Sequence, residues 1–284
     1  MRTVLILLVA FLFSYCLNAQ IVEVDGKLKV NTMDPDNSLE QIVVKKPDGE
    51  LATRMVASLP PPNSDTTRTL ASDLELARLI CECTNIPPFL VQSALDGGYT
   101  VEDLYKGGVS SQDLMNGGVS VFELAPLVDS YYDLYGLKYG GGILLDFETS
   151  TNKVVVLAEN DYYTSIGWGC AGIEITGADS PFYGDGPQNT QDIVDECWEG
   201  AAYECYYLTL NGYDDWYLPA NNAWVIIHGH LIYEGLGNFQ SVIYWTSTEI
   251  NANEAYVMDN TGGSTYQGDK FSSYYFRPAR TFFE

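Results

Sequence analysis

Three glycine pairs spaced ten residues apart limit most tightly how this chain can fold: Gly97-Gly98, Gly107-Gly108 and Gly117-Gly118. Thr100, Ser110 and Ser120 keep the same period, and each stands three residues before an acid, Asp103, Asp113 or Glu123. A hydroxyl followed three residues later by a carboxylate is the spacing of a capping box, in which each side chain satisfies an orphan backbone N–H of the other's turn. Leu104, Leu114 and Leu124 follow directly. Each unit therefore reads as a helix of one to two turns, started by a hydroxyl and stopped by glycine. Helices this short do not stand alone. Stacked, they can share a leucine seam, as small repeat arrays do. The segment 71–128 is expected to be such an array, serving as a spacer or docking rod or as a helical cap with no binding role.

The start of the chain speaks for export. Met1-Arg2 is positive, Val4 to Phe13 is unbroken apolar sequence, and Asn18-Ala19 precedes Gln20. This is the layout of a signal peptide over 1–19, cut after Ala19. The apolar run falls short of the roughly 20 residues a spanning helix needs. No second such run follows, so no membrane span is expected after cleavage, and the expected location is secreted or cell-surface. Residues 20–59 read as two hairpins. Val22-Glu23-Val24 and Lys27 to Val30 alternate around Asp25-Gly26, and Ile42-Val43-Val44 leads into Pro47-Asp48-Gly49. An isolated hairpin is marginal, so this segment needs a partner. Either the following domain or another copy would serve, the latter giving a homo-oligomer through the N-terminal segment. Residues 60–70, opening on three prolines, read as a linker.

The net charge is −24. Such a field repels nucleic acid and suits neutral or cationic partners. Beyond Cys16, which leaves with the signal, five cysteines remain: Cys81, Cys83, Cys170, Cys197 and Cys205. In an oxidising compartment an odd number leaves one thiol unpaired or intermolecular. With no C-x-x-C pair and only His228 and His230, no zinc site is expected. Spaced two apart on a helix, these histidines read as incidental.

From Gly136 to Glu284 the chain reads as a separate domain. Ile143 to Leu145 and Val154 to Leu157 are expected as strands around a turn at Ser150 to Asn152. Helices are expected from Asn189-Thr190 through Val194, from Ala201 to Leu210, and from Asn221 or Asn222 to near Gly235 or Gly237. Ser241 to Ser247, Ala255 to Met258 and Ser272 to Phe276 read as further strands. The fold class is α+β.

Five blocks in this region carry a resemblance. Gly212 to Pro219 (GYDDWYLP) resembles the "GYxDWxLP" signature of the Lcl C-terminal domain family, named for a collagen-like adhesin of Legionella. Tyr139 to Ile143, Trp168-Gly169-Cys170, Tyr244 to Glu249 and Arg277 to Arg280 are similar to the family's "YxGGII", "WGC", "YWSSTE" and "RPVR" blocks, in the same order. The decapeptide units likewise resemble "AGxSxxDL" arrays of bacterial exported proteins. The family resemblance implies a C-type-lectin-like fold over 136–284, at the end of a secreted or surface protein, with a role in adhesion that includes glycosaminoglycan binding. Cys170, Cys197 and Cys205 align with cysteine positions common in the family; a Cys170–Cys197 bridge would pin the WGC loop to a helix and leave Cys205 as a buried thiol, while the pairing among the five cysteines stays open. Two departures matter. Ala223 stands where the family has a glutamate, and the domain carries 5 Lys and Arg against 20 Asp and Glu, a net of −15. Sulfated polysaccharide needs basic patches, so that ligand is not carried over.

The candidate ligand-binding residues are Trp168, Asp214, Trp216, Tyr217, Asn221, Asn222, Trp224, Trp245 and Tyr256, which could form an aromatic platform for sugar rings with polar groups beside it. The alternative is that the tryptophans of the matched blocks are core. Glu249, Arg277 and Arg280 are read as a structural ion pair, an Arg–carboxylate fork tying the last strand to its neighbour. No cofactor is expected. Calcium is the one ion with conceivable ligands, Asp214 and Asp215 with Asp185, Asn189 or Asn211; solvated turn carboxylates are preferred, since the Trp-Asn-Asp run of lectin-like sites is missing. No catalytic residue is assigned. The chain reads as a binding or adhesion protein recognising glycan or extracellular protein, with a fibre tip or assembly subunit as the alternative and an oxidase like formylglycine-generating enzyme behind both.

Overall fold

The structure is a computed structural model that describes residues 41–45, 51–55, 86, 88–96 and 98–284. The expected signal peptide, the first hairpin, the linker, residues 71–85, Cys81 and Cys83 lie outside the described residues. Two compact units divide between Ser120 and Val121.

In the first unit, β1 (Gln41–Lys45) and β2 (Leu51–Met55) pair antiparallel from Gln41↔Met55 to Lys45↔Leu51, the second of the two hairpins expected. Three helices follow: α1 (Pro88–Asp96), α2 (Val101–Lys106) and α3 (Ser111–Asn116). Thr100 caps α2 through a full capping box with Asp103, and the Ser110 side chain accepts from the Asp113 N–H to cap α3. Leu104 and Leu114 are fully buried, as are Val109 and Val119 between the helices. The two glycines of the second and third pairs do different work. Gly107 and Gly117 end their helices at negative φ, donating back to Asp103 O and Asp113 O, whereas Gly108 and Gly118 turn the chain at φ +89° and +92°.

The second unit is α+β. It opens with α4 (Val121–Leu124), the third repeat helix, whose Leu124 is again fully buried. One sheet orders β3 (Lys138–Tyr139), β4 (Gly142–Glu148), β5 (Lys153–Leu157), β12 (Ala279–Phe283) and β7 (Trp216–Tyr217), all antiparallel. The other orders β10 (Ser264–Asp269), β9 (Glu254–Asp259), β8 (Ile243–Asn251), β11 (Tyr274–Phe276) and β6 (Tyr162–Ile166), with β11 parallel to β8. Helices α5 (Gly186–Glu196), α6 (Ala201–Tyr206) and α7 (Ala223–Ile227), the last running into a π-helical turn His228–Ile232, come between β6 and β8 in sequence. A core of Trp168, Ile193, Cys197, Ala201, Cys205, Trp245, Val257 and Phe276 joins the second sheet to α5 and α6.

Several local readings shift. Helix α5 starts at Gly186 rather than at Asn189, because Pro187 suits a first turn while Asn189 is buried and donates to Ser180 O. Helix α6 stops at Tyr206, and Asn211 and Gly212 make a separate left-handed turn closed by the Leu210–Tyr213 bridge. Strand β10 has no apolar signature because five of its six residues are exposed.

The glycine pairs make a paired test. A methyl group at Gly108 meets open space, so Gly108→Ala should cost only left-handed strain, about 1 kcal/mol. At Gly117 the φ suits alanine, but the new Cβ would stand 2.4 Å from Val91 Cβ, and Gly117→Ala should cost about 1–3 kcal/mol. Urea denaturation of the two variants checks the order.

Candidate functional site

Residues of the five sequence blocks meet inside the second unit. Trp168 Nε1 donates to Thr246 O at 2.8 Å, and Trp245 Nε1 donates to Ile166 O at 2.8 Å. Trp168, Trp224 and Trp245 are fully buried, Trp216 is 2% exposed and Tyr217 is buried with its phenol raised to about 12 by burial. These side chains therefore take the core alternative and form no open aromatic platform. Their indoles and rings fill the core, where their apolar area stabilises a loop-rich fold. Asp214 and Asn222 are exposed, and Asn221 and Tyr256 are half-buried. The structure distributes these residues over both sheets, α7 and a turn, and does not gather them.

The ionic residues are buried as expected but pair differently. Arg277 binds Asp161 through Nε at 2.7 Å and Nη2 at 2.6 Å, donates to Ala158 O and Gly237 O, and lies 4.1 Å from the Phe239 ring centroid. Arg280 pairs with Asp215, donates to Gly140 O, and sits over the Tyr213 and Phe282 rings. Glu249 meets neither arginine; its cation is Lys270. Carboxylates outnumber basic residues four to one in this domain, so residue type alone could not assign the partners.

The Glu249–Lys270 pair lies beneath one loop. Both side chains are almost wholly buried. The Ile175 N–H donates to both Glu249 carboxylate oxygens at 3.0 Å, and Lys270 Nζ donates to Ile173 O at 3.1 Å while lying 4.3 Å from the Trp168 ring centroid. The Cys170–Cys197 disulfide, the candidate bridge among pairings the sequence left open, ties the same loop to the end of α5. Gly200 completes the clamp. A Cβ there would stand 2.1 Å from Trp168 O, so only glycine allows this close approach. Ala201 N–H donates to Gly167 O at 3.1 Å and Gly172 N–H to Ala252 O at 2.8 Å.

The braced loop separates two surface features. On one side Trp198 projects from the turn after Cys197, 80% exposed. On the other lies an open depression of about 550 Å³ lined by Glu174, Asn251, Ala252, Asn253, Glu254 and Asp269. Sequence reasoning missed both. The available signal was a tryptophan outside every matched block, flanked by acids at Glu196 and Glu199 and directly following a half-cystine.

Cys205 is buried and its thiol is pushed up by desolvation, with Glu204 adding to the shift. Among the described residues the one group of three His, Cys, Asp or Glu ligand atoms is Cys170, Cys197 and Glu199, whose sulfurs are spent in the disulfide. Of the suggested calcium ligands, Asp185 accepts the Ser180 hydroxyl, Asn189 Nδ2 donates to Ser180 O, Asn211 Nδ2 donates to Gly141 O, and Asp215 pairs with Arg280. His230 is placed by a contact between Nδ1 and Leu145 O and stacks on Tyr135 at 4.1 Å. Among the described residues no helix is long and apolar enough to cross a membrane. Comparison of the sequence with protein-family models and with curated proteins finds no match.

Lys270→Met removes the cation and strands the Glu249 carboxylate in the core. It should cost about 3–5 kcal/mol, and the Lys270→Met/Glu249→Leu double variant should lose less. Chemical denaturation of both checks whether unpaired charge or lost contact dominates.

Proposed function

We propose that this chain is a secreted or surface-exposed bacterial binding or adhesion protein, whose C-type-lectin-like C-terminal domain recognises glycan or protein. One observation carries the reading: a largely exposed indole is held on a turn braced by a disulfide to a loop that a buried ion pair anchors, while the other four tryptophans are in the core. A rigid aromatic anchor on a braced scaffold is the kind of feature from which binding surfaces are built.

The lectin-like reading draws support from the way the domain closes on itself. Its early strands β3 to β5 and its last strand β12 share one sheet, and the Glu284 N–H donates to Asn152 O. Loops and the second sheet come between them in sequence, leaving both ends of the domain on one side of its wiring. The oxidase alternative needs an accessible reactive cysteine pair. Here two cysteines of the domain are joined and the third is buried with its thiolate disfavoured.

Two measurements test this reading. The signal-cleaved chain should pass through a heparin column at physiological salt and should find its ligand on arrays of non-sulfated glycans and extracellular proteins. A chain that binds nothing on those arrays yet assembles into filaments by light scattering would replace the reading with the assembly role. Alkylation followed by peptide mapping should leave Cys205 unmodified in the native chain and label it in urea; native labelling would revive the thiol chemistry.

A further inference from the structure

The end of the domain that carries Trp198 has a second property. Between Lys153 and Lys270 the sequence contains no Lys or Arg. The basic side chains that follow are turned inward, Lys270 to Glu249, Arg277 to Asp161 and Arg280 to Asp215, and Lys138 pairs with Glu159. The depression beside the braced loop offers three carboxylates, Glu174, Glu254 and Asp269, and no cation among its lining residues. Exposed apolar side chains stand next to it in sequence, Ile173 at 53% and Phe271 at 76% exposure.

A single exposed apolar residue is ordinary on a protein surface. Trp198 differs in how it is held. Cys197 is bonded to Cys170, Gly200 is packed against Trp168 O, and Ala201 is hydrogen-bonded to Gly167 O, so the turn that carries the indole is fixed on both sides. Glu196 and Glu199 flank it, both exposed. The loop from Gly169 to Glu174 runs from this turn to the depression, and its ends can be no more than about 18 Å apart, because an extended residue spans at most about 3.6 Å.

We propose that this end of the domain docks an extended basic segment of a partner protein, with one arginine or lysine stacked on Trp198 and a second cation seated among Glu174, Glu254 and Asp269. The inference rests on the reading of the domain as a binding module, and names its partner class. Charge complementarity selects the occupant: a guanidinium or ammonium over an indole face is attracted by the ring quadrupole, its aliphatic stem covers apolar surface, and its charge is neutralised by the flanking acids. A neutral glycan would use the aromatic face and leave the surrounding carboxylates without counter-charge.

Trp198 also supplies the readout, since it is the one strongly exposed tryptophan of the five. The full signal-cleaved chain is titrated at physiological salt with a nona-arginine peptide, and in a second arm with a neutral chito-oligosaccharide, while acrylamide quenching of tryptophan fluorescence is followed. The peptide is expected to shield the quenchable component. By calorimetry, Trp198→Ala should weaken peptide binding by at least about tenfold, Trp198→Phe by no more than about threefold, and Glu174→Gln/Asp269→Asn by several-fold. Absence of peptide binding overturns the proposal. So does peptide binding that leaves quenching unchanged or is equal in Trp198→Ala, since attraction to the overall −24 charge would then account for it. Shielding by the oligosaccharide without shielding by the peptide assigns the surface to sugar and overturns it as well. If the peptide arm fails while array ligands are still bound, the binding-module reading stands and this inference alone fails.

Discussion

The surface of the C-terminal domain depends on a buried ion pair that is not itself at the surface. Glu249 and Lys270 are almost wholly out of water. Desolvating two charges is expensive, and the expense is tolerable only when the remaining hydrogen-bonding capacity is used. Here it is used on one loop: Glu249 accepts the Ile175 N–H with both oxygens, and Lys270 donates a hydrogen bond to Ile173 O and lies over Trp168. Weaken the pair and the backbone from Gly167 to Ile175 loses the contacts that set its path. With it would go the position of the Trp198 turn, which is joined to that loop by the disulfide and by the Ala201–Gly167 hydrogen bond.

Two further anchors flank the passage of the chain from one sheet to the other. Arg277 directly follows β11 of one sheet, and Arg280 lies in β12 of the other, with Pro278 between them in sequence. Each guanidinium is turned to its own side, Arg277 to Asp161 and the carbonyls of Ala158 and Gly237, Arg280 to Asp215 and Gly140 O. Guanidinium groups suit this work because their planar fork serves a carboxylate, backbone carbonyls and an aromatic face at once. The consequence is electrostatic as well as mechanical. Cations used as internal braces are unavailable to the surface, so the outward face of an already acidic domain is left more uniformly negative than its composition requires.

Much of the local structure was legible in the sequence, and where it was not the reasons are specific. The decapeptide period gave helix starts at Thr100 and Ser110 because capping is decided by residues three apart. The strands at Ile143 and Val154 were legible because buried strands are apolar throughout. Strand β10 escaped because an edge strand facing water carries no apolar alternation. The helix ends at Gly186 and Tyr206 differ from the sequence reading because Asn189 and Asn211 spend their side chains on distant carbonyls instead of on the expected cap and stop.

The candidate site divides in the same way. The sequence by itself determined the cap spacing, the excess of carboxylates, the absence of basic residues over a long central stretch, and which tryptophans lie in matched blocks. Tertiary structure alone decided that those tryptophans are interior, that Glu249 belongs to Lys270 and not to either arginine, and that Trp198 stands exposed beside an acidic depression. The physical reason is range. Caps, turns and alternation act between residues a few positions apart, whereas burial and ion pairing join positions separated by tens of residues, and in a chain with far more acids than bases only packing chooses which carboxylate each cation meets.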